Sequence, residues 1–156
     1  MIVSVRPFNE QDWTSVSNIY KEGIATGIAT FETEIPSYKK WDEKFLKLCR
    51  LVAEIKNEVV GFAVLSLVSN RKVYKGVAEV TVYVAENCRG IGIGELLLTS
   101  LIEESEKNGF WTLQAGIFSE NKASIKLHEK CGFRIVGVRE KIGQRNGKWY
   151  DNHFLE

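Results

Sequence analysis

The 156-residue chain has no apolar run approaching the roughly 20 residues that a membrane-spanning helix needs. Its first residues, Met1-Ile2-Val3-Ser4-Val5-Arg6, lack the apolar core of a signal peptide. Charge of one sign is missing too: 21 Lys and Arg against 20 Asp and Glu leave a formal net charge of +1. Neither a nucleic-acid partner nor a membrane partner is expected from that balance. Cysteine is scarce, with only Cys49, Cys88 and Cys131. An odd count, wide spacing and no C-x-x-C point to reduced thiols in the cytoplasm, with no metal site. Cys88 beside Arg89 is read as a small filler rather than a reactive thiol. There is no repeat, low-complexity tract or linker, so residues 1–156 are expected to form one domain with a core of its own.

What is present centres on Val80 to Leu98. A β-branched and aromatic run, Val80-Thr81-Val82-Tyr83-Val84, reads as a strand. A loop with Arg89 and three alternate glycines, Gly90, Gly92 and Gly94, follows. From Glu95 to Lys107, apolar Leu97, Leu98, Leu101 and Ile102 recur at helical spacing. Strand, glycine loop and helix together aim backbone N–H groups at one point. The helix start adds about half a positive charge there, which suits a phosphate or pyrophosphate. Arg89 contributes a full charge and a planar fork. A P-loop is excluded, because Gly94 is followed by Glu95 and Leu96 rather than Lys and Ser or Thr. A dinucleotide fingerprint is mis-spaced, and the acid it wants about 20 residues on is met only by Glu120, 26 residues past Gly94.

In chain order, Ile2 to Arg6 alternates as a strand and Pro7 ends it. Asn9 is a helix cap before the stripe Trp13, Val16, Ile19, Tyr20 and Ile24. Ser37 caps a second helix over Tyr38 to Leu48. Arg50 to Ile55 and Glu58 to Val68 form a hairpin around Lys56-Asn57. Ser69 to Gly76 is a polar, basic loop, and Val77 to Val84 is the strand entering the glycine loop. Phe110 to Phe118 is a strand, and Ser119 or Asn121 caps a helix running to Lys130. Phe133 to Glu140 and Trp149 to Leu155 form a last pair around Gly143 to Gly147. The expected fold is mixed α/β, with about seven strands in one sheet and about four helices.

Arg89-x-x-Gly92-x-Gly94 after a strand resembles the acyl-CoA pyrophosphate loop of the GNAT superfamily of N-acetyltransferases. Asn121-Lys122-Ala123-Ser124-Ile125-Lys126-Leu127-His128 through Gly132-Phe133 is similar to the next signature of that superfamily. The resemblance covers essentially the whole chain. Glu79 to Val84, Lys126 to Glu129 and Gly147-Lys148-Trp149-Tyr150-Asp151 further resemble the phosphinothricin N-acetyltransferase group. Such enzymes acetylate the α-amino group of phosphinothricin, methionine sulfoximine or methionine sulfone, and they form homodimers. The resemblance therefore implies acetyl-CoA as co-substrate, no metal, a small-molecule amine as acceptor, and a homodimer.

It also implies site residues. Glu79 is the expected general base, acting through a water, and His128 the expected proton donor or base, since an unperturbed His titrates near about 6.5. Arg89, Gly90, Ile91, Gly92, Ile93, Gly94 and Glu95 would hold the pyrophosphate, with Lys130 near the phosphates. Val82, Tyr83 and Val84 would offer backbone hydrogen bonds to pantetheine, and Asn121 and Ser124 would meet the same arm. On the acceptor side, Phe31 would wall the pocket, and Arg71, Lys72, Tyr74 and Lys75 would sit in the carboxylate-reading loop. The chain departs from the group there: Val68-Ser69 stands where an aromatic-Arg pair is usual. Three rivals stay open: the same chemistry on a polyamine, aminoglycoside or protein N-terminus; a non-catalytic acyl-CoA sensor; and, more remotely, a dinucleotide-binding oxidoreductase.

Overall fold

The computed structural model describes residues 1–156. Seven strands form one sheet, in the order β1-β2-β3-β4-β5-β7-β6. They are β1 (Ser4–Pro7), β2 (Leu51–Ile55), β3 (Glu58–Leu67), β4 (Val77–Val84), β5 (Thr112–Phe118), β6 (Ile135–Arg145) and β7 (Lys148–Leu155). The helices are α1 (Trp13–Ala25), α2 (Tyr38–Lys44), α3 (Ile93–Lys107) and α4 (Lys122–Lys130). All strand pairs are antiparallel except β4 with β5.

Local chemistry accounts for the element ends. The Asn9 side chain accepts the Gln11 N–H, and the Asp12 carboxylate accepts the Asn9 N–H at 2.9 Å. This is a reciprocal cap, but it closes a 3-10 turn over Glu10–Asp12, so α1 proper begins at Trp13. Ser37 caps α2, and Asn121, rather than Ser119, caps α4. Lys56 and Asn57 both take positive φ, as a tight two-residue hairpin turn requires. Asn146 and Gly147 do the same between β6 and β7. That second turn carries β6 on to Arg145, past the expected Glu140, and starts β7 at Lys148, so Gly143 lies in a strand rather than a loop.

Alternation along β3 and β4 splits the core into two layers. One face carries Ala63, Leu65, Ala78 and Val80 against Leu97, Leu98 and Leu101 of α3 and Ile125 of α4. The other carries Phe62 and Val64 against Val16, Ile19 and Tyr20 of α1 and Trp41 of α2. Glu79, Thr81 and Tyr83 belong by register to this second face, which is the face that matters below.

Candidate active site

β4 and β5 are paired only at Val77–Thr112, Ala78–Leu113 and Glu79–Gln114. Past that point β4 keeps only β3, while Ala115 to Phe118 pair with β7. The sheet therefore opens in a V with Glu79 at its apex. The Ala85 N–H bonds the Val60 carbonyl at 2.8 Å. By alternation, Tyr83 turns its backbone groups to β3, and Val82 and Val84 turn theirs into the opening. Of the three residues expected to offer backbone bonds, Val82 and Val84 have their backbone groups free of β3, and Tyr83 does not. Tyr83 instead contributes its ring, stacked on Tyr20 and Phe62 at 5.2 and 5.5 Å.

At the wide end of the V stands the glycine loop. Gly90 and Gly92 have φ of +79° and +93°, and a Cβ on either would meet no atom within 4 Å. These glycines are needed for the backbone turn, not for space. Gly92 precedes α3 without a side-chain cap, and the Leu96 N–H is the first to bond back, to the Gly92 carbonyl. The N–H groups of Ile93, Gly94 and Glu95 are left without helical partners. The helix starts two residues earlier than the apolar periodicity indicated, so the loop is its first turn. Gly94 serves packing: a Cβ there would lie 3.1 Å from Leu127 of α4. Ile91 is exposed and Ile93 is buried as an anchor. Arg89 donates from Nε to the Val84 carbonyl at 3.3 Å, along the open edge. Lys130 and Glu95 pair with each other at 2.9 Å, which holds the lysine over the first turn of α3.

Glu79 is exposed at this opening, and its carboxyl is only partly desolvated. The lost hydration pushes its carboxyl above the usual range, against the pull of Lys44 and Arg139. His128 is 4 % exposed. Burial lowers its pKa, with a smaller opposing effect from its bond to the Ser124 carbonyl. That bond is 2.7 Å from Nδ1, so Nδ1 carries the hydrogen and Nε2 keeps a lone pair. A neutral ring in this tautomer is an acceptor at neutral pH. Glu79 and His128 approach the V from different sides, one on the α1 face of β4 and the other on α4 beyond it. Asn121 spends its oxygen on the Ser124 N–H at 3.2 Å, leaving its amide NH₂ free of that duty.

Phe31 is half-buried on the Glu79 face, 4.5 Å from the Phe118 ring and 6.3 Å from Tyr150. It lies against Gly143, where a Cβ would come within 2.8 Å of its ring. The loop residues Lys72 and Tyr74 lie in a short 3-10 turn that ends at Lys75, and all three are exposed, with Tyr74 under the Arg71 guanidinium at 5.4 Å. They stand at the closed end of the β4–β5 pair. Sequence reasoning missed Gly116, Arg139, Asn152 and Phe154, which share the Glu79 face. The signal for Asn152 was its place between Tyr150 and Phe154 in an alternating aromatic row. A cavity of about 760 Å³ lies elsewhere, on the rim of β1 and β2 around Ser4, Glu54 and Lys56.

An acyl carrier with a pyrophosphate fits these features: an open strand edge, a turn of positive-φ glycines and an uncapped helix start. The acetyltransferase (GNAT) family profile matches residues 13–133, and the chain belongs to that family. It is an acetyl-CoA-dependent N-acetyltransferase. It is 31 % identical over 158 residues to phosphinothricin N-acetyltransferase of Streptomyces viridochromogenes, covering 99 % of this chain and 86 % of that one. It is 28 % identical to an L-methionine sulfoximine/L-methionine sulfone acetyltransferase of Pseudomonas paraeruginosa, over 100 % and 94 % of the two chains. The crystal structure of a phosphinothricin acetyltransferase from Sinorhizobium meliloti in complex with acetyl-CoA superposes with a TM-score of 0.90 at 30 % identity, covering 99 % and 87 %. No helix is long and apolar enough to cross a membrane.

Proposed function

We propose that the protein acetylates the α-amino group of a small amino-acid-like compound of the methionine sulfone, methionine sulfoximine or phosphinothricin type. The observation that carries this reading is Glu79 at the apex of the V, a carboxylate with raised proton affinity on the same face as Phe31. Acetyl-CoA supplies the activated acyl group. Val82 and Val84 would receive the pantetheine amides along the open edge of β4. The N–H groups from Gly92 to Glu95, with Arg89, would hold the pyrophosphate. Asn121, Ser124 and Lys130 line the same side.

The incoming amine arrives as an ammonium and must lose a proton before it can attack. Glu79 takes that proton, directly or through one water, because its partly desolvated carboxylate binds protons better than a free one. Well-placed proton transfer is worth typically 10²–10⁴-fold, and holding the amine in line supplies a further large factor. The His128 Nε2, an acceptor in the neutral ring, would share the proton's removal rather than donate at the outset. Phe31, Phe118 and Tyr150 form an apolar wall for the acceptor's side chain.

The protein is further proposed to be a cytoplasmic homodimer. Edge strand β6 and the β7 turn present Ile135, Val136, Val138, Ile142 and Trp149 to solvent, 41–52 % exposed. An edge of that kind invites a second copy.

The test is a thiol-release assay with acetyl-CoA and a panel of amines: methionine sulfone, methionine sulfoximine, phosphinothricin, spermidine and an aminoglycoside. Release with the first three supports the reading. Release only with the others moves the acceptor to another class and leaves the transfer chemistry intact.

A further inference from the structure

Gly116 of β5 is exposed, and its missing side chain leaves a bare spot on the acceptor face. The Glu79 Oε1 lies 3.9 Å from where a Gly116 Cβ would be, and the Asn152 Nδ2 lies 3.4 Å from the same point. A carboxylate and an amide N–H₂ therefore flank one unoccupied patch of sheet. Asn152 pairs directly across from Arg139 on β6, so the two side chains stand on one face as neighbours. The Arg139 guanidinium is stacked over the Phe154 ring at 4.3 Å. Phe154 in turn pairs across from Gly116. The ring holds the fork in place beside the bare spot.

Two features mark this cluster as free for a ligand. The Asn152 Oδ1 is buried without a hydrogen-bond partner, so the amide is not held by the fold's own bonds. Arg139 is in none of the chain's salt bridges, although acids outside the cluster pair elsewhere, as Glu54 does with Arg6 and Asp42 with Arg50. An anion acceptor, a planar cation and an amide donor around one patch complement a zwitterion.

We infer that Arg139 and Asn152 form the carboxylate subsite for an α-amino-acid acceptor, across the bare Gly116 from Glu79, which receives the amine. This deepens the proposed function and rests on it. An α-amino acid carries its ammonium and carboxylate on one carbon, and that spacing bridges the two sides of the patch. The fork takes the carboxylate, with Asn152 Nδ2 as a further donor. The cation that reads the carboxylate then comes from β6, and not from Arg71, Lys72 or Lys75 of the Ser69–Gly76 loop at the closed end of the β4–β5 pair. The ammonium is left facing Glu79, so carboxylate recognition also sets the reacting nitrogen at the base. Gly116 is required because any side chain there would stand between the two.

The experiment compares steady-state kinetics of wild type, Arg139→Gln, Arg139→Lys and Asn152→Leu. The acceptors are methionine sulfone and the same compound without its carboxylate, 3-(methylsulfonyl)propan-1-amine. Arg139→Gln is expected to raise KM for methionine sulfone about 10- to 100-fold and to collapse the preference over the carboxylate-free amine. Arg139→Lys should recover part of that preference, as a point charge without the fork. Asn152→Leu should reduce it as well, with far-UV circular dichroism unchanged. Wild-type turnover of methionine sulfone with an unaltered KM in Arg139→Gln overturns the subsite alone, as does the same KM increase in Arg71→Gln, Lys72→Gln or Lys75→Gln instead. Wild-type preference for the carboxylate-free amine overturns both the subsite and the amino-acid reading.

Discussion

Glu79 and Gln114 are the last residues at which β4 and β5 still pair. One residue further along, each strand has lost the other, and the sheet opens. The proposed chemistry is placed at this fork, where the Glu79 carboxylate stands beside a strand edge whose backbone groups have no partner strand.

Replacing Glu79 with Gln should lower kcat/KM for the amine by about 10²- to 10³-fold, with little change in KM for acetyl-CoA. The same change should not lower the melting temperature. Glu79 forms none of the salt bridges, and its folded pKa is raised. Its contribution to stability is present below the ordinary glutamate value and is lost as pH rises through the folded value. A neutral Gln thus removes a charge that is unfavourable at pH 7. Full turnover at saturating amine in the Gln variant would remove Glu79 from the mechanism.

His128→Asn retains a donor for the Ser124 carbonyl and removes the second ring nitrogen. Turnover should fall by about 10²-fold if Nε2 takes part in proton removal. Because burial lowers the His128 pKa, wild-type kcat/KM should hold its plateau below the usual histidine value near 6.5. Stability follows the same sign: the neutral ring stabilises above the ordinary value, and that contribution is lost as pH falls through the lowered one. An unaltered pH–rate profile in the Asn variant would make His128 a packing residue against Phe133, whose ring stands edge-on at 5.2 Å.

Gly92→Ala places a methyl group in open space but forces a left-handed φ on alanine. The backbone cost is about 1–2 kcal/mol. The expected result is a lower melting temperature together with weaker acetyl-CoA binding by calorimetry. Gly94→Ala takes no such φ; it presses on Leu127 instead, so its effect should appear in stability more than in affinity.

The Asp12 carboxylate accepts two hydrogen bonds from Arg6 at 2.8 Å and also caps Asn9. Arg6 holds its carboxyl below the usual range. Asp12→Ala should cost about 3 kcal/mol, read by urea unfolding. The stabilisation is complete above the ordinary aspartate value near about 4 and is lost as pH falls through the lower folded value. An equal cost at neutral pH and at pH 2 would assign it to the cap alone.

If β6 is the interface, Val138→Glu should convert a dimer to a monomer in light scattering after gel filtration, with secondary structure intact. A monomeric wild type at tens of micromolar would end that proposal.

The amino-acid sequence by itself determined the strand–glycine loop–helix unit, because φ demands, capping and apolar period are local properties of Gly90, Gly92, Asn121 and the Leu97–Leu101 stripe. It also placed Glu79 on the face of Thr81 and Tyr83, since alternation is local too. It did not show which backbone edge was free: Tyr83 faces β3 because of a pairing with residues some 20 positions away in the chain. Nor did it show that the neutral His128 ring is an acceptor, which follows from burial and one hydrogen bond. The same holds for the cation on the acceptor face. A basic loop just before Glu79 is close in sequence, whereas Arg139 and Asn152 come onto the face of Glu79 only because β6 and β7 return beside β5. Sequence distance tracks the elements; the sheet order decides which side chains meet.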